Sequence, residues 1–584
     1  MLPKALMCVG GQWRLAHPSG RAMLAKPDPS VDPRNRAEAM RMDAEGWTKS
    51  ELDELTNHEG ISWIRVDRSV FERTKRKLVK TVWVYKVKRS GKLKSRLCVQ
   101  GCSQIPGVDY DQTHCSTMRA PTLRLLSSVA SRLNLKMRRW DFVAAYLQGE
   151  LLDGEEIYCH APAGHATIGA DGKEQVLRVI KPIYGMSQAG RRWQRSLYPW
   201  MNEWTTGGAK FTQAHADSNT FICRTTTTTP AGPRDETLIV GVYVDDCFVL
   251  YSHDDQHSLY QRFTADLQSR WKVDDEGDVS DLLGIEIESA SDGCVTLKQR
   301  GYIERLCQTW FPDGVHSTVQ SNQTPADLML PQLVADALVL EDEFEAADVK
   351  RFQSIVGALL YAATNTRPDV AYAVGMLCRV MSRPTPELHQ AALRVLGYLY
   401  RTRHLGLRYQ ADKLPVKGFS DSDWAVKHST SGFVFMYNQA AISWGSKKQT
   451  SVALSSCEAE LMAASVAAQE AVHLKGFMEE LQLDSGKPIE LAVDNTAARD
   501  TAYNPEHHQK VKHIERRHFY VRECVEDHKI TVPYVNTLDN LSDFFTKPLQ
   551  SKHFFGMRDA IMNVRPREGD DYVSGGVQFR PTAN

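Results

Sequence analysis

Alternating and helical hydrophobic spacing divides the chain into a strand-rich first half, a helical middle and a second strand-rich segment. Leu238 to Tyr251 reads Leu-Ile-Val-Gly-Val-Tyr-Val-Asp-Asp-Cys-Phe-Val-Leu-Tyr, two β-branched and aromatic runs on either side of Asp245-Asp246. Such runs favour strands, and an acidic pair between them predicts a tight hairpin with two carboxylates at its tip. Upstream, Thr81-Val-Trp-Val-Tyr-Lys-Val-Lys and Ser95-Arg-Leu-Cys-Val-Gln alternate apolar and basic positions around Ser90-Gly91, which predicts a hairpin with one wet face. A short helix is expected from Trp47 to Leu55, and a surface loop at the polythreonine stretch Thr225 to Pro233. Between about 300 and 412, Leu388, Ala391, Ala392, Val395, Leu396 and Leu399 fall on one helical face. Glu341 to Glu345 reads as a solvated linker there.

The last third changes period again. Phe419-Ser-Asp-Ser-Asp-Trp, Ser431-Gly-Phe-Val-Phe-Met-Tyr and Ala441-Ile-Ser-Trp predict three strands. Ser455-Ser-Cys-Glu-Ala-Glu opens a helix with a Ser N-cap and acids in its first turn. Ile489-Glu-Leu-Ala-Val-Asp-Asn reads as a fourth strand ending at Asp494, and Val532-Pro-Tyr-Val-Asn-Thr leads to a helix carrying Asp543. Glu458 and Glu460 lie about 200° apart around their helix, so they cannot share one ligand position. Glu460 shares its face with Ala464, Ala467, Ala468 and Ala471, small residues that permit close approach to a sheet; Glu458 suits first-turn capping and Asp423 a strand-end turn.

At 584 residues several domains are expected. Lys and Arg balance Asp and Glu at 71 each, so no global field draws the chain to nucleic acid. The charge is local: thirteen basic against two acidic side chains lie between Arg65 and Arg96, a plausible phosphate-facing surface. The twelve cysteines are scattered without zinc spacing and read as reduced thiols of an intracellular protein. No apolar run approaches the roughly 18 residues that span a membrane, and no secretory pattern opens the chain, so a soluble protein with no membrane partner is expected. Two adjacent carboxylates at about 4 Å repel by roughly 4 kcal/mol at an effective dielectric of 20, so a cation is the expected companion of Asp245-Asp246.

A third acid, Asp141, ends the apparent strand Leu135-Lys-Met-Arg-Arg-Trp-Asp, and together with the Asp245-Asp246 hairpin it resembles motifs A and C of reverse transcriptases. The basic hairpin, Gly107-Val-Asp-Tyr-Asp, Arg119-Ala-Pro-Thr-Leu-Arg and Val179-Ile-Lys-Pro-Ile-Tyr-Gly-Met-Ser-Gln are similar to the copia-type retrotransposon enzymes. That resemblance implies metal binding by Asp141, Asp245 and Asp246. It also implies a triphosphate grip by Arg96 with Lys94 or Lys92, and a ribose-excluding aromatic at Tyr146. Tyr184, Gly185 and Gln188 would support the template and nascent pair, while Ser187 and Gly190 stand where the family usually has Lys and Pro. Asp281-Leu-Leu-Gly-Ile-Glu-Ile resembles a primer grip, and His507-His-Gln-Lys-Val-Lys-His a basic segment near a hybrid backbone. Asp421, Glu460, Asp494 and Asp543 match the order of the four-carboxylate RNase H site.

The resemblance, over roughly 47 to 550, implies an α+β and α/β multidomain fold. Residues 1–45 would be a linker or upstream remnant, 46–300 reverse transcriptase fingers and palm, 301–412 helical thumb and connection, 413–550 an RNase H-like domain and 551–584 a tail. The implied function is an RNA-directed DNA polymerase with RNase H, using two Mg2+ (or Mn2+) ions per active site. Its implied partners are an RNA template, a DNA or tRNA primer, RNA–DNA hybrid, deoxynucleoside triphosphates and an integrase in trans. Cytoplasm is the implied location, in a virus-like particle if the element is intact, or the nucleus. A piece of a polyprotein, or a gene from a decayed element, would look this way; the rival reading is a domesticated remnant that binds nucleic acid without catalysis.

Overall fold

The computed structural model of the chain describes residues 32–87, 91–229, 232–314, 324–341, 343–412, 414–424, 428–503 and 520–565, with short strands at Cys8–Val9 and Gln12–Trp13. It divides into two compact units. The first takes residues up to Met118, Arg138–Gln213 and Ser218–Gly277; the second takes Arg119–Met137, Ala214–Asp217 and the chain from Asp278 onward. No helix among the described residues is long and apolar enough to cross a membrane.

In the first unit, strands β1 (Thr81–Val87) and β2 (Leu93–Val99) form the basic hairpin, in register from Thr81 opposite Val99 to Val87 opposite Leu93. Its buried side carries Trp83, Tyr85, Leu97 and Val99. Against it lie two helical segments, together Arg36–His58, joined at a kink where Asp43 has a φ of −158°; the first is started by Asn35, whose side chain accepts from the Glu38 amide at 3.0 Å. The stretch read as linker is therefore helical from Arg36 onward. Its polar sequence hides an apolar face, but the Asn35-to-Glu38 spacing is a capping signal that marks the start.

The centre of this unit is a six-stranded sheet: β3 (Lys136–Phe142), β4 (Thr212–Gln213), β5 (Thr220–Thr229), β6 (Gly232–Tyr243), β7 (Asp246–Tyr251) and β8 (Val273–Asp278), ordered β4-β5-β6-β7-β3-β8. The polythreonine stretch is no loop: Thr220 to Thr229 pair residue by residue with Gly241 to Gly232. Thr is β-branched and sits well on a pleated surface, so the run extends the ladder that a turn-based reading broke. Alternation along β3 buries Trp140 and Phe142 and turns Arg139 and Asp141 to the other face. Beneath, Trp140 stacks on Tyr260 and Phe142 meets Trp193 edge-on at 4.8 Å, so the helices Ala189–Glu203 and Leu259–Arg270 brace the strands that carry the acids. Each such large buried side chain contributes about 1.5–3 kcal/mol.

The second unit is built on a five-stranded sheet of β9 (Lys417–Asp423), β10 (Thr430–Tyr437), β11 (Ala440–Lys448), β12 (Ile489–Ala492) and β13 (Ile530–Thr531), ordered β11-β10-β9-β12-β13. β9, β10 and β11 are antiparallel; β12 runs parallel to β9 and β13 parallel to β12. The helix Ser456–Glu480 packs on this sheet through Ala459, Ala463, Ala467 and Ala471. Asp543 lies in the 3-10 turn Leu541–Phe545, where an ordinary helix was expected. The middle of the chain is helical as the periodicity indicated, with Leu388, Ala392, Val395, Leu396 and Leu399 buried along Pro386–Arg401.

One helix sits where the sequence order does not put it. Ala120–Leu133, expected with the polymerase half, packs inside the second unit and is buried without a break from Thr122 to Ser131. Arg124 holds it there. Its guanidinium donates to the carbonyls of Ile442 (2.7 Å), Thr364 (2.7 Å) and Asn365 (2.9 Å) and lies 3.9 Å from the centre of the Trp444 ring. Such a charge is tolerated in a core because Nε and Nη1 meet carbonyl oxygens and the guanidinium faces a π system. Arg124→Leu would strand those three carbonyls, and a loss of about 3 kcal/mol is expected in urea unfolding followed by Trp444 fluorescence. A midpoint within experimental error of the parent would contradict that role.

Candidate active sites

Two groups of acids, one in each unit, meet the requirements of a divalent-ion site to different degrees. In the first, β6 ends at Tyr243 opposite Asp246, leaving Val244-Asp245 as a two-residue turn. Val244 adopts a φ of 59°, a conformation that costs a β-branched residue and is held by its surroundings. Trp193 Nε1 donates to the Val244 carbonyl at 2.9 Å from below, and the Phe142 amide donates to the Asp245 carbonyl at 2.8 Å from the neighbouring strand. These two bonds fix the turn against β3 and bring Asp245 beside Asp141.

The electrostatics follow from that proximity. Burial, then the charge of Asp246, pushes the Asp141 carboxyl up to about 6. Burial, then Asp141, pushes Asp245 up to about 7, with Arg96 opposing. Asp245 Oδ1 is buried and accepts no hydrogen bond from the protein, an oxygen suited to a metal ligand. Asp246 is occupied differently: Arg139 donates to its Oδ1 from Nε at 3.0 Å and from Nη2 at 2.9 Å. Sequence reading overlooked Arg139, although its place two residues before Asp141 on one strand face was a usable signal.

Around these acids lie most of the residues implied to touch substrate. The Arg96 guanidinium sits 5.0 Å over the Tyr184 ring, and Tyr184 lies 5.1 Å from Tyr146, both rings buried. Lys94 is two residues before Arg96 on β2 and pairs across the hairpin with Lys86. Gly185 has a φ of 89°, and a Cβ there would stand 2.1 Å from the Val99 carbonyl oxygen, so no larger residue fits. Gln188 is held inside its loop. It is fully buried, accepts from Gln104 Nε2 at 3.2 Å and donates to the Asp109 carbonyl at 3.2 Å, so its role is to fix the loop. Leu283 is half-buried with a φ of 55° beside Gly284, at the turn between Asp281–Leu282 and Ile285–Ser289.

The second group is tighter. One carboxylate oxygen each from Asp421 on β9, Asp494 just beyond β12 and Asp543 in the 3-10 turn all lie within 4.8 Å of one another. Glu460, in the first turns of the helix on the sheet, joins them: its Oε1 accepts from the Ser422 amide at 3.3 Å and its Oε2 is buried without a partner. Burial, then Asp421 and Asp494, pushes Glu460 up to about 9; burial, then Asp421, pushes Asp543 up to about 7 and Asp494 in the same direction. Asp543 Oδ1 is likewise buried and unpartnered. Lys547 Nζ lies 2.8 Å from Asp543 Oδ2, and Thr546 Oγ1 donates to Asp421; neither was anticipated from sequence.

The neighbouring acids have structural partners. Glu458 Oε2 accepts from the Leu454 amide at 2.7 Å while Ser455 Oγ accepts from the Glu458 amide at 3.1 Å, a reciprocal capping box. Asp423 accepts from the Thr430 amide at the strand end. The His507 segment lies outside the described residues.

Residues 66–314 match the family described as reverse transcriptase (RNA-dependent DNA polymerase). The chain is 30% identical over 486 residues to the retrovirus-related Pol polyprotein from transposon TNT 1-94 of Nicotiana tabacum, covering 82% of this chain and 35% of that one. It is 31% identical over 482 residues to the polyprotein from transposon RE1 of Arabidopsis thaliana, covering 81% and 31%. The chain thus spans about a third of the length of these curated relatives. Among solved structures it is similar to a foamy viral protease-reverse transcriptase in complex with RNA/DNA hybrid, at 12% identity and a TM-score of 0.45, over 90% of this chain and 56% of that one.

The raised carboxyls set a pH dependence. Their folded-state pKa values exceed the unfolded values near 4, so between about pH 4 and 7 these groups bind more protons in the folded chain than in the unfolded one. For Glu460 that window reaches about 9. Without divalent ions the thermal midpoint should therefore fall as pH rises from 5 to 9, and Glu460→Gln should flatten the slope above pH 7. Added Mg2+ should raise the midpoint more at pH 8 than at pH 5. A metal-free midpoint that climbs across this range would contradict the assignment.

Proposed function

The chain belongs to the reverse transcriptase family of copia-type Pol polyproteins, and from that premise we propose that it is an RNA-directed DNA polymerase joined to a ribonuclease H. The observation that carries the polymerase half is the fixed turn that sets Asp245 and Asp246 beside Asp141, with a buried Asp245 oxygen left unpartnered. Mg2+ or Mn2+ would be held by these three acids in one unit and by Asp421, Glu460, Asp494 and Asp543 in the other. When bound, such ions supply Lewis acidity that activates an attacking hydroxyl or water and offsets charge on the phosphoryl group.

The chain's own residues prepare the rest. Arg96 offers a planar guanidinium, braced on Tyr184, to the phosphates of an incoming deoxynucleoside triphosphate. Tyr146, packed against Tyr184, forms a wall that would exclude a ribose hydroxyl. Gly185 lets the loop lie flat on β2, where the Val99 amide donates to the Tyr184 carbonyl at 2.8 Å. Template RNA, a DNA or tRNA primer and the resulting hybrid are the partners this arrangement serves. In the second unit the sheet order, with β12 and β13 parallel to β9 and a helix carrying Glu460, supports an RNase H-like reading.

Primer extension on an RNA template with Mg2+ tests the first activity: Asp245→Asn should lower the rate on the order of 100-fold or more. Equal extension by both proteins removes the polymerase proposal and leaves a non-catalytic nucleic-acid binder. For the second activity, Asp494→Asn should stop cleavage of RNA in a hybrid while extension continues. Undiminished hybrid cleavage in that variant overturns the nuclease proposal.

A further inference from the structure

Arg139 lies on β3, the strand between β7 and β8, and its side chain meets an acid from each neighbour. Towards β7 it donates twice to Asp246 Oδ1, at 3.0 and 2.9 Å; towards β8 its Nε lies 3.1 Å from Glu276 Oε2. The preceding residue also meets an acid of β8, with Arg138 Nη1 2.9 Å from Asp275 Oδ2. Asp141 is two residues further along β3, so alternation turns it to the same face as Arg139.

We propose that Arg139 is a displaceable counter-ion of the polymerase acids, seated on Asp246 in the metal-free protein and handed to Glu276 when a divalent ion binds. The inference rests on the polymerase reading of Asp141, Asp245 and Asp246. Three features carry it. Arg139 bonds an acid that the metal would need, so the two cations compete for one carboxylate. Glu276 is already within reach of the same guanidinium, so the side chain has an alternative seat without a change of strand position. Glu276 is also more open to solvent, its side chain 44% exposed against 23% for Asp246, so an ion pair there is weaker and the guanidinium favours Asp246 until displaced. The consequence is a threshold: the free-ion concentration needed to fill the site depends on how often Asp246 is occupied by Arg139. Arg139 is thus a positioning residue, acting through Asp246, and touches no reacting atom.

Mn2+ binding to the full chain, read as loss of the free-ion electron paramagnetic resonance signal, tests this without turnover. An Asp494→Asn background removes the contribution of the second site. There, Arg139→Gln should bind Mn2+ about three- to tenfold more tightly, because the competing occupant is gone. Arg139→Lys, which keeps a charge but not the planar fork, should fall between the two. Glu276→Gln should weaken binding when Arg139 is present and have no further effect in the Arg139→Gln protein. Unchanged or weaker binding in Arg139→Gln overturns the proposal, as does an equal effect of Glu276→Gln with and without Arg139, which would mean that Glu276 acts only through its field. Asp245→Asn separates the levels: if it leaves Mn2+ binding intact, the polymerase reading falls as well; if it abolishes binding while Arg139→Gln is silent, the counter-ion proposal alone falls.

Discussion

Everything chemical in this chain depends on holding carboxylates close together where water is scarce. Left to themselves, two such groups at about 4 Å repel by roughly 4 kcal/mol at an effective dielectric of 20. The fold meets that cost by hanging each acid on an element braced elsewhere. Asp141 rides a strand pinned by Trp140 and Phe142. Asp245 rides a turn clamped by Trp193 and Phe142. Asp421 and Asp494 extend from adjacent parallel strands. The apolar packing beneath is what makes the acidic surface above possible, and the raised carboxyl pKa values record the strain that remains.

The two sites relieve that strain in a similar way. In the second unit Lys547 lies against Asp543 from four residues away; in the first, Arg139 lies against Asp246 from a neighbouring strand. In each case a protein cation partly neutralises one acid while buried, unpartnered oxygens remain, Asp543 Oδ1 and Glu460 Oε2 in one site and Asp245 Oδ1 in the other. The difference lies in closeness. Asp421, Asp494 and Asp543 already converge to within 4.8 Å, the single such trio among the described residues.

The order of acids was legible because each follows a short, strongly patterned strand or opens a capped helix, signals that reside within ten residues. The Ser455 cap and the distinction between Glu458 and Glu460 came from helix geometry alone, and the contacts of both glutamates follow it. Three things escaped for physical reasons. The polythreonine strand carries turn-like residues at one end only, and β-branching outweighs them. The helix from Arg36 is too polar for a hydrophobic period to reveal. The burial of Ala120–Leu133 in the second unit depends on Arg124 finding carbonyls more than 200 residues away, information no local window contains.

The departures from family pattern at Ser187 and Gly190 can be weighed against the same hydrogen bonds. Ser187 is buried, with its amide donating to Gln104 Oε1 at 2.8 Å and its hydroxyl to the Gly101 carbonyl at 3.0 Å. Gln188 ties the same loop to Gln104 and Asp109, and the Gly101 amide donates to the Gly185 carbonyl at 3.0 Å. A long cationic side chain at position 187 would have to leave this network; the serine completes it. The loop that sets Tyr184 under Arg96 is therefore held by short polar side chains, and its geometry does not depend on the residues that are missing. What the departure at Ser187 removes is a positive charge, and it leaves the acids and their supports untouched.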